Sequence, residues 1–257
     1  MFKTIRLILL VSALLFVGLS AYQLKTAQAD WSSRKWVTIY PINADDSQAS
    51  QAYIDALDDE SFRSISEFMG REFKRYGGGQ HEPVIVRLGP QVRELPPPLD
   101  SPPSLMTTLW WNVKLRLWAA RVRQHYDGPP ADIDMFVQYH DPATHGALQH
   151  SVGIAKMSLG IVNAFATRRM TESNNVVIAH EMLHVVGASD KYDLRTNQPI
   201  YPEGYVEPNA EPLYPQKKAE IMAGRIPVSR SQARTPKSLK SVVVGEQTAR
   251  EINWRVR

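Results

Sequence analysis

Residues 179–193 read AHEMLHVVGASDKYD, and they concentrate the reactive side chains of the sequence. His180 and His184 are four apart, with Glu181 directly after the first. On a helix, residues four apart lie on the same face, so the two imidazoles stand side by side. Two neutral imidazole nitrogens presented this way suit one zinc ion. Glu181 sits at the border of that face, where it reaches water near the ion without occupying the metal. Zinc lowers the pKa of water towards about 7, so a nearby carboxylate can take a proton at neutral pH and pass it to a leaving amine. A purely structural zinc site has no need of that glutamate. The chain has no cysteine, so any metal site must use His, Asp or Glu.

The run HEMLHVVGASD resembles the zinc-binding signature of the metzincin metallopeptidases. Their pattern is HExxHxxGxxH or, in a few branches such as snapalysin, HExxHxxGxxD. The resemblance implies one catalytic Zn2+ held by His180, His184 and Asp190, with Glu181 as general base and Gly187 letting the chain turn sharply. It also implies a methionine-bearing turn beneath the metal, for which AEIMAGRI (219–226) supplies Met222. The implied fold is α/β, or α+β by stricter naming: a mixed twisted sheet over helices, with the metal in a cleft under the sheet's edge. The resemblance spans mainly residues 130–226 and is concentrated at 180–190. Three departures stand out. Asp190 replaces the commoner third histidine. Segment 90–126 carries a helix beyond the minimal pattern. No tyrosine follows Met222 closely, which leaves the transition-state stabiliser unassigned, with Tyr192 as a candidate.

Other polar residues compete for roles. Asp193 is an alternative third ligand, or orients the loop. His140, His145 and His150 are evenly spaced around an expected turn beside Asp141, as polar loop residues or as a second, structural metal site. Glu203 and Glu207 lie where thermolysin-like enzymes place a third ligand, but Pro199, Pro202 and Pro208 deny them a helix. Lys217 and Lys218 read as a solvated face.

The elements that must position these residues follow from periodicity. KWVTIYPI (35–42), PVIVRLG (83–89) and DIDMFVQYH (132–140) read as strands, as do ALQHSVGIAKM (147–157) and GIVNAFAT (160–167). The more polar 147–157 is the expected edge, where a substrate peptide would add as a further strand. One helical pattern runs from about residue 47 to Tyr76 and ends at three glycines. A second runs from Ser104 to Tyr126, with Trp111, Leu115, Trp118 and Val122 on one face as core. Thr171 or Ser173 is the expected cap of the active-site helix. Residues 90–103, with six prolines, and 191–219, with five, read as loops, and GEQTAREINW as a terminal helix.

An apolar fraction of 43% and a charged fraction of 22% are ordinary for a globular protein and exclude wholesale disorder. The net charge of +4 is unevenly placed: Lys3, Arg6 and Lys25 fall in residues 1–29, which hold no acid. The remainder is near neutral, which argues against nucleic acid as a partner. Leu7 to Leu24 is an uncharged run of 18 residues, followed by Ala27 and Ala29 at signal-peptidase spacing. It reads as a cleaved signal peptide or an uncleaved membrane anchor, and both deliver residues 30–257, one domain, outside the cytoplasm. The expected function is zinc-dependent hydrolysis of peptide or protein substrates. Its rivals are a non-catalytic zinc-containing binding module and a zinc hydrolase of a non-peptide amide such as a cell-wall component.

Overall fold

The computed structural model describes residues 30–98 and 104–254. The expected targeting segment at 1–29 therefore lies outside the described residues, and no described helix is long and apolar enough to cross a membrane.

The core is a five-stranded mixed sheet. Its strands are β1 (Lys35–Asn43), β2 (Val84–Leu88), β3 (Ile133–His140), β4 (Val152–Ile154) and β5 (Leu159–Phe165). They lie in the order β2-β1-β3-β5-β4. The first four in that order run parallel, and β4 runs antiparallel at the edge against β5, with Gly153 opposite Gly160. Parallel strands covered on both faces read as nearly continuous apolar runs. That is what β1 and β3 show, with Val37, Ile39, Met135 and Val137 facing one layer and Tyr40, Ile42 and Phe136 the other.

The helices are α1 (Gln48–Ile54), α2 (Arg63–Arg75), α3 (Leu105–Gln124), α4 (Thr171–Val185) and α5 (Glu246–Glu251). α2 and α4 bury Ile65, Phe68, Met69, Ile178 and Met182 against one face of the sheet. α3 covers the opposite face through Leu115, Trp118 and Ala119. The sheet is thus sandwiched between helices, whereas the sequence reading placed helices beneath it only. The reason is the segment 90–126, whose Trp118 ring meets Phe136 at 4.5 Å and closes the second core.

Two local expectations need correction. The pattern from 47 to 76 is not one helix. Ser47 caps α1, which stops at Ile54, and Asp58 then accepts from Ser61 N to start a fresh turn leading into α2. Of the strand expected at 147–157, only Val152–Ile154 pairs, and the chain leaves it through a short helical turn ending at Ser158 with φ +52.

The C-terminal quarter shares the main apolar core through Ile221, Val242 and Trp254, and two buried carboxylates fix its segments. Glu220 is fully buried and accepts from Ala223 N, Gly245 N and Thr248 Oγ1. Glu72, also buried, accepts from Val244 N and pairs with Arg71 and Arg75. Two short ladders complete the region: β6 (Ala219–Glu220) with β9 (Val242–Val243), and β7 (Ile226–Pro227) with β8 (Ala233–Arg234). Glu220→Ala leaves three donors without their acceptor. At about 1–3 kcal/mol for a buried unsatisfied group, the expected loss is at least about 3 kcal/mol, read as a lower urea midpoint.

Candidate metal centre

α4 is anchored before it reaches the reactive residues. Its first helical residue is Thr171, and Met170 precedes it without any side-chain cap, so neither expected capping residue acts. Two buried asparagines take over. Asn174 accepts from Phe165 N and donates to Phe165 O, which fixes α4 to the end of β5. Asn175 Nδ2 donates to Ser61 O and Ser64 Oγ, which fixes it to α2. Sequence reading passed over both; two adjacent amides in an apolar helix were the available signal.

α4 ends at Val185, and Gly187 follows at φ +109, a region that favours glycine. The chain then folds back, so that Asp190 returns to the helix. Asp190 Oδ1 lies 3.2 Å from His180 Nε2 and 3.1 Å from His184 Nε2, and the two Nε2 atoms are 3.1 Å apart. His180 Nδ1 donates to Ile221 O at 2.9 Å, and His184 Nδ1 donates to Ala188 O at 2.8 Å. A carbonyl only accepts, so each Nδ1 carries a proton and each Nε2 faces the other two donor atoms.

This arrangement fits a small divalent cation. Three donors bonded tetrahedrally to zinc at ordinary Zn–N and Zn–O lengths stand about 3.3 Å apart, close to the spacing seen. Asp190 Oδ1 and Glu181 Oε2 are buried with no hydrogen-bond partner, as atoms awaiting a ligand would be. The groups of the site shift one another's titration. Burial works to lower His180, but Asp190 and Glu181 outweigh it and raise the imidazole. Burial works to raise Asp190, but the two imidazoles hold it well below the usual carboxylate range. Burial pushes Glu181 up, and the imidazoles offset that only in part.

The loop carrying Asp190 is held from behind. Lys191, though buried, donates through Nζ to Glu251 and Ser189 O, while its amide donates to Met222 O. Ser189 donates to the same Glu251 from its amide and hydroxyl. Met222 itself is fully buried in the turn Ile221–Ala223, which Gly224 closes at φ +67. The carbonyls of Ile221 and Met222 therefore reach His180 and the Asp190 loop respectively. Lys191 and Glu251 gave no sign of this in the sequence, since their partners are 60 residues apart.

The edge strand closes the centre on its other side. A Cβ on Gly153 would lie 2.3 Å from Glu181 O and 2.6 Å from His184 Cβ, so β4 packs on α4 only with glycine there. Beside the centre opens a cleft of about 480 Å³, lined by His150, Asn163, Val177, Glu181, Tyr192 and Arg225 among others. The Tyr192 ring lies 6.3 Å from that of His180, and burial followed by Asp190 and Glu181 raises its hydroxyl's pKa.

The remaining candidates are placed elsewhere. Asp193 is in an exposed turn, accepting from Arg195 N, Thr196 N and Thr196 Oγ1. Glu203 and Glu207 are exposed in the loop. His150 lies on the cleft wall, and its carbonyl accepts from Asn163 rather than its ring joining the other two histidines of the expected trio. In its stead Asp45, from the loop after β1, joins His140 and His145, with one donor atom of each within 4.8 Å of the others. Asp45 accepts from the Asp141 amide, and His140 Nε2 bonds Asn163 Oδ1.

No family model matches the chain, and no curated protein matches it. A solved structure described as a chaperone-substrate complex aligns with a TM-score of 0.41 at 10% identity. The alignment covers 86% of this chain and 33% of that one, so the chain spans about a third of the length of the structure it matches.

Support by Lys191 gives a direct test. Lys191→Met should keep the fold's apolar packing while releasing Ser189 and Glu251. Removing a partner that orients a ligand costs about 10–100-fold in metal affinity, to be read by zinc competition against a chromophoric chelator.

Proposed function

We propose that the chain is a zinc-dependent metallopeptidase, acting outside the cytoplasm on extended peptide segments. The observation that carries the reading is the convergence of His180 Nε2, His184 Nε2 and Asp190 Oδ1 within 3.2 Å, with Glu181 beside them. The mixed sheet is of the kind that the metzincin resemblance implies, and the buried Met222 turn behind His180 supports the same reading.

In this reading His180, His184 and Asp190 hold the ion, and Met222 packs behind it as an apolar floor rather than a ligand. Bound zinc would supply Lewis acidity, polarising the scissile carbonyl and acidifying water. Glu181 is the proton carrier. Its raised pKa brings the carboxyl nearer to neutrality, which suits a group that takes a proton from water and returns it to the leaving nitrogen. Tyr192 lines the cleft with its pKa raised, and in this reading it donates to the oxygen that gains charge as the carbonyl is attacked. β4 is the last strand of its sheet, and its free edge offers main-chain pairing to an extended substrate alongside Glu181.

Glu181→Gln should keep zinc at wild-type stoichiometry and lose about 10²–10⁴-fold or more in kcat. Near wild-type cleavage of the best sequence from an unbiased peptide library would end the catalytic reading. Asp190→Ala should abolish tight zinc binding, with Asp193→Ala retaining it. The reverse pattern would move the third ligand to Asp193.

Tyr192→Phe should leave zinc content and KM unchanged and lower kcat by about 10²-fold, the scale of one lost oxyanion donor. An unchanged kcat would remove Tyr192 from the reaction.

A further inference from the structure

α3 has two apolar faces, and the sheet uses one. Leu115, Trp118 and Ala119 are buried in the second core. On the opposite side Leu105, Met106, Leu109, Trp110, Val113 and Leu117 are between 43% and 80% exposed. At 3.6 residues per turn these six form one continuous stripe. A soluble surface does not ordinarily carry so many large apolar side chains in one patch, and such patches mark contact with a partner or a membrane.

The charged residues of α3 itself are all of one sign. Over its 20 residues α3 has no acid, and it has Lys114, Arg116, Arg121 and Arg123. By helical geometry Lys114 and Arg121 border one side of the stripe, and Arg116 and Arg123 the other. Lys114 Nζ sits 5.9 Å from the Trp110 ring centre. Arg116 and Arg123 also hold the helix to the body, through Lys156 O and Asp134. An apolar centre with tryptophan, flanked on both sides by cations, is the pattern of a helix lying in a membrane interface. Apolar side chains enter the acyl boundary while long cationic ones reach the headgroups.

We infer that α3 is a membrane-docking helix, which seats its exposed stripe in the interface of a bilayer containing anionic lipid. A second copy of the chain fits less well. Pairing two such stripes would set the same cations against each other, with no carboxylate in either helix to meet them. The sequence also carries its own reason to be near a bilayer, the uncharged run from Leu7 to Leu24 behind Lys3 and Arg6. The inference stands independently of zinc binding or catalysis.

The test is tryptophan quenching of the full chain in phosphatidylcholine vesicles, with and without phosphatidylglycerol, whose acyl chains are brominated. Residues 1–29 contain no tryptophan, so quenching reports the body alone. The expected result is quenching that grows with anionic lipid and is mostly lost in Trp110→Phe. It should be abolished in Val113→Glu/Leu117→Glu, while circular dichroism and melting stay as in wild type. Absence of quenching in wild type, or quenching that survives Trp110→Phe undiminished, overturns the inference. So does cross-linking of two copies through a cysteine at position 113 without any quenching, which would assign the stripe to self-association. If the double variant fails to fold, Trp110→Phe alone decides.

Discussion

Three atoms that repel one another are held within about a hydrogen bond's length, and much of the structure serves that constraint. His180 Nε2, His184 Nε2 and Asp190 Oδ1 face one another while each Nδ1 donates to a carbonyl. Left alone, such a cluster would spread or take up protons. It persists because each donor is fixed from outside the site. His180 is set by the Met222 turn, His184 by the returning chain at Ala188, and Asp190 by its neighbours Ser189 and Lys191 on Glu251. A cation would draw all three donors to a common centre, and a scaffold that fixes each of them from outside would be preorganised for one.

That scaffold is built largely from carboxylates far from the cluster in sequence. Glu72, Glu220 and Glu251 each bind groups of distant segments: Glu72 the amide of Val244, Glu220 the Met222 turn and the start of α5, Glu251 the Asp190 loop. Each is buried or partly buried, and each is met by several donors. An isolated buried charge would be costly; one met by several hydrogen bonds can act as a directional tie. Apolar packing alone would leave the short strands of the C-terminal quarter free to slide, because two-residue ladders specify little register. The carboxylates supply the position that those ladders do not.

This division explains what the sequence disclosed. His180, Glu181, His184, Gly187 and Asp190 lie within eleven residues, and helical spacing with a glycine stop is local information. β1, β2, β3 and β5 were legible because buried parallel strands are strongly apolar. The ties of Lys191 to Glu251 and of Asn175 to Ser61 were not, since each depends on which surfaces meet after folding. The break of the long helical pattern at Asp58 is intermediate. Its capping side chain was present in the sequence, but periodicity on both sides of it concealed the stop. The grouping of Asp45 with His140 and His145, in place of His150, follows from β1 and β3 being neighbours, which spacing along the chain does not reveal.

The helix α3 shapes both faces of its side of the molecule. Without α3, the layer formed by Tyr40, Phe136, Leu159 and Ile161 would face water. A helix with a single apolar stripe and polar remainder would cover it and leave an ordinary surface. α3 instead closes that layer with Leu115 and Trp118 and presents a second apolar stripe outward. The second stripe adds nothing to the core it sits above, and exposed leucine and tryptophan lower solubility. Core packing therefore accounts for one half of this helix and leaves the other half to the proposed contact with a bilayer.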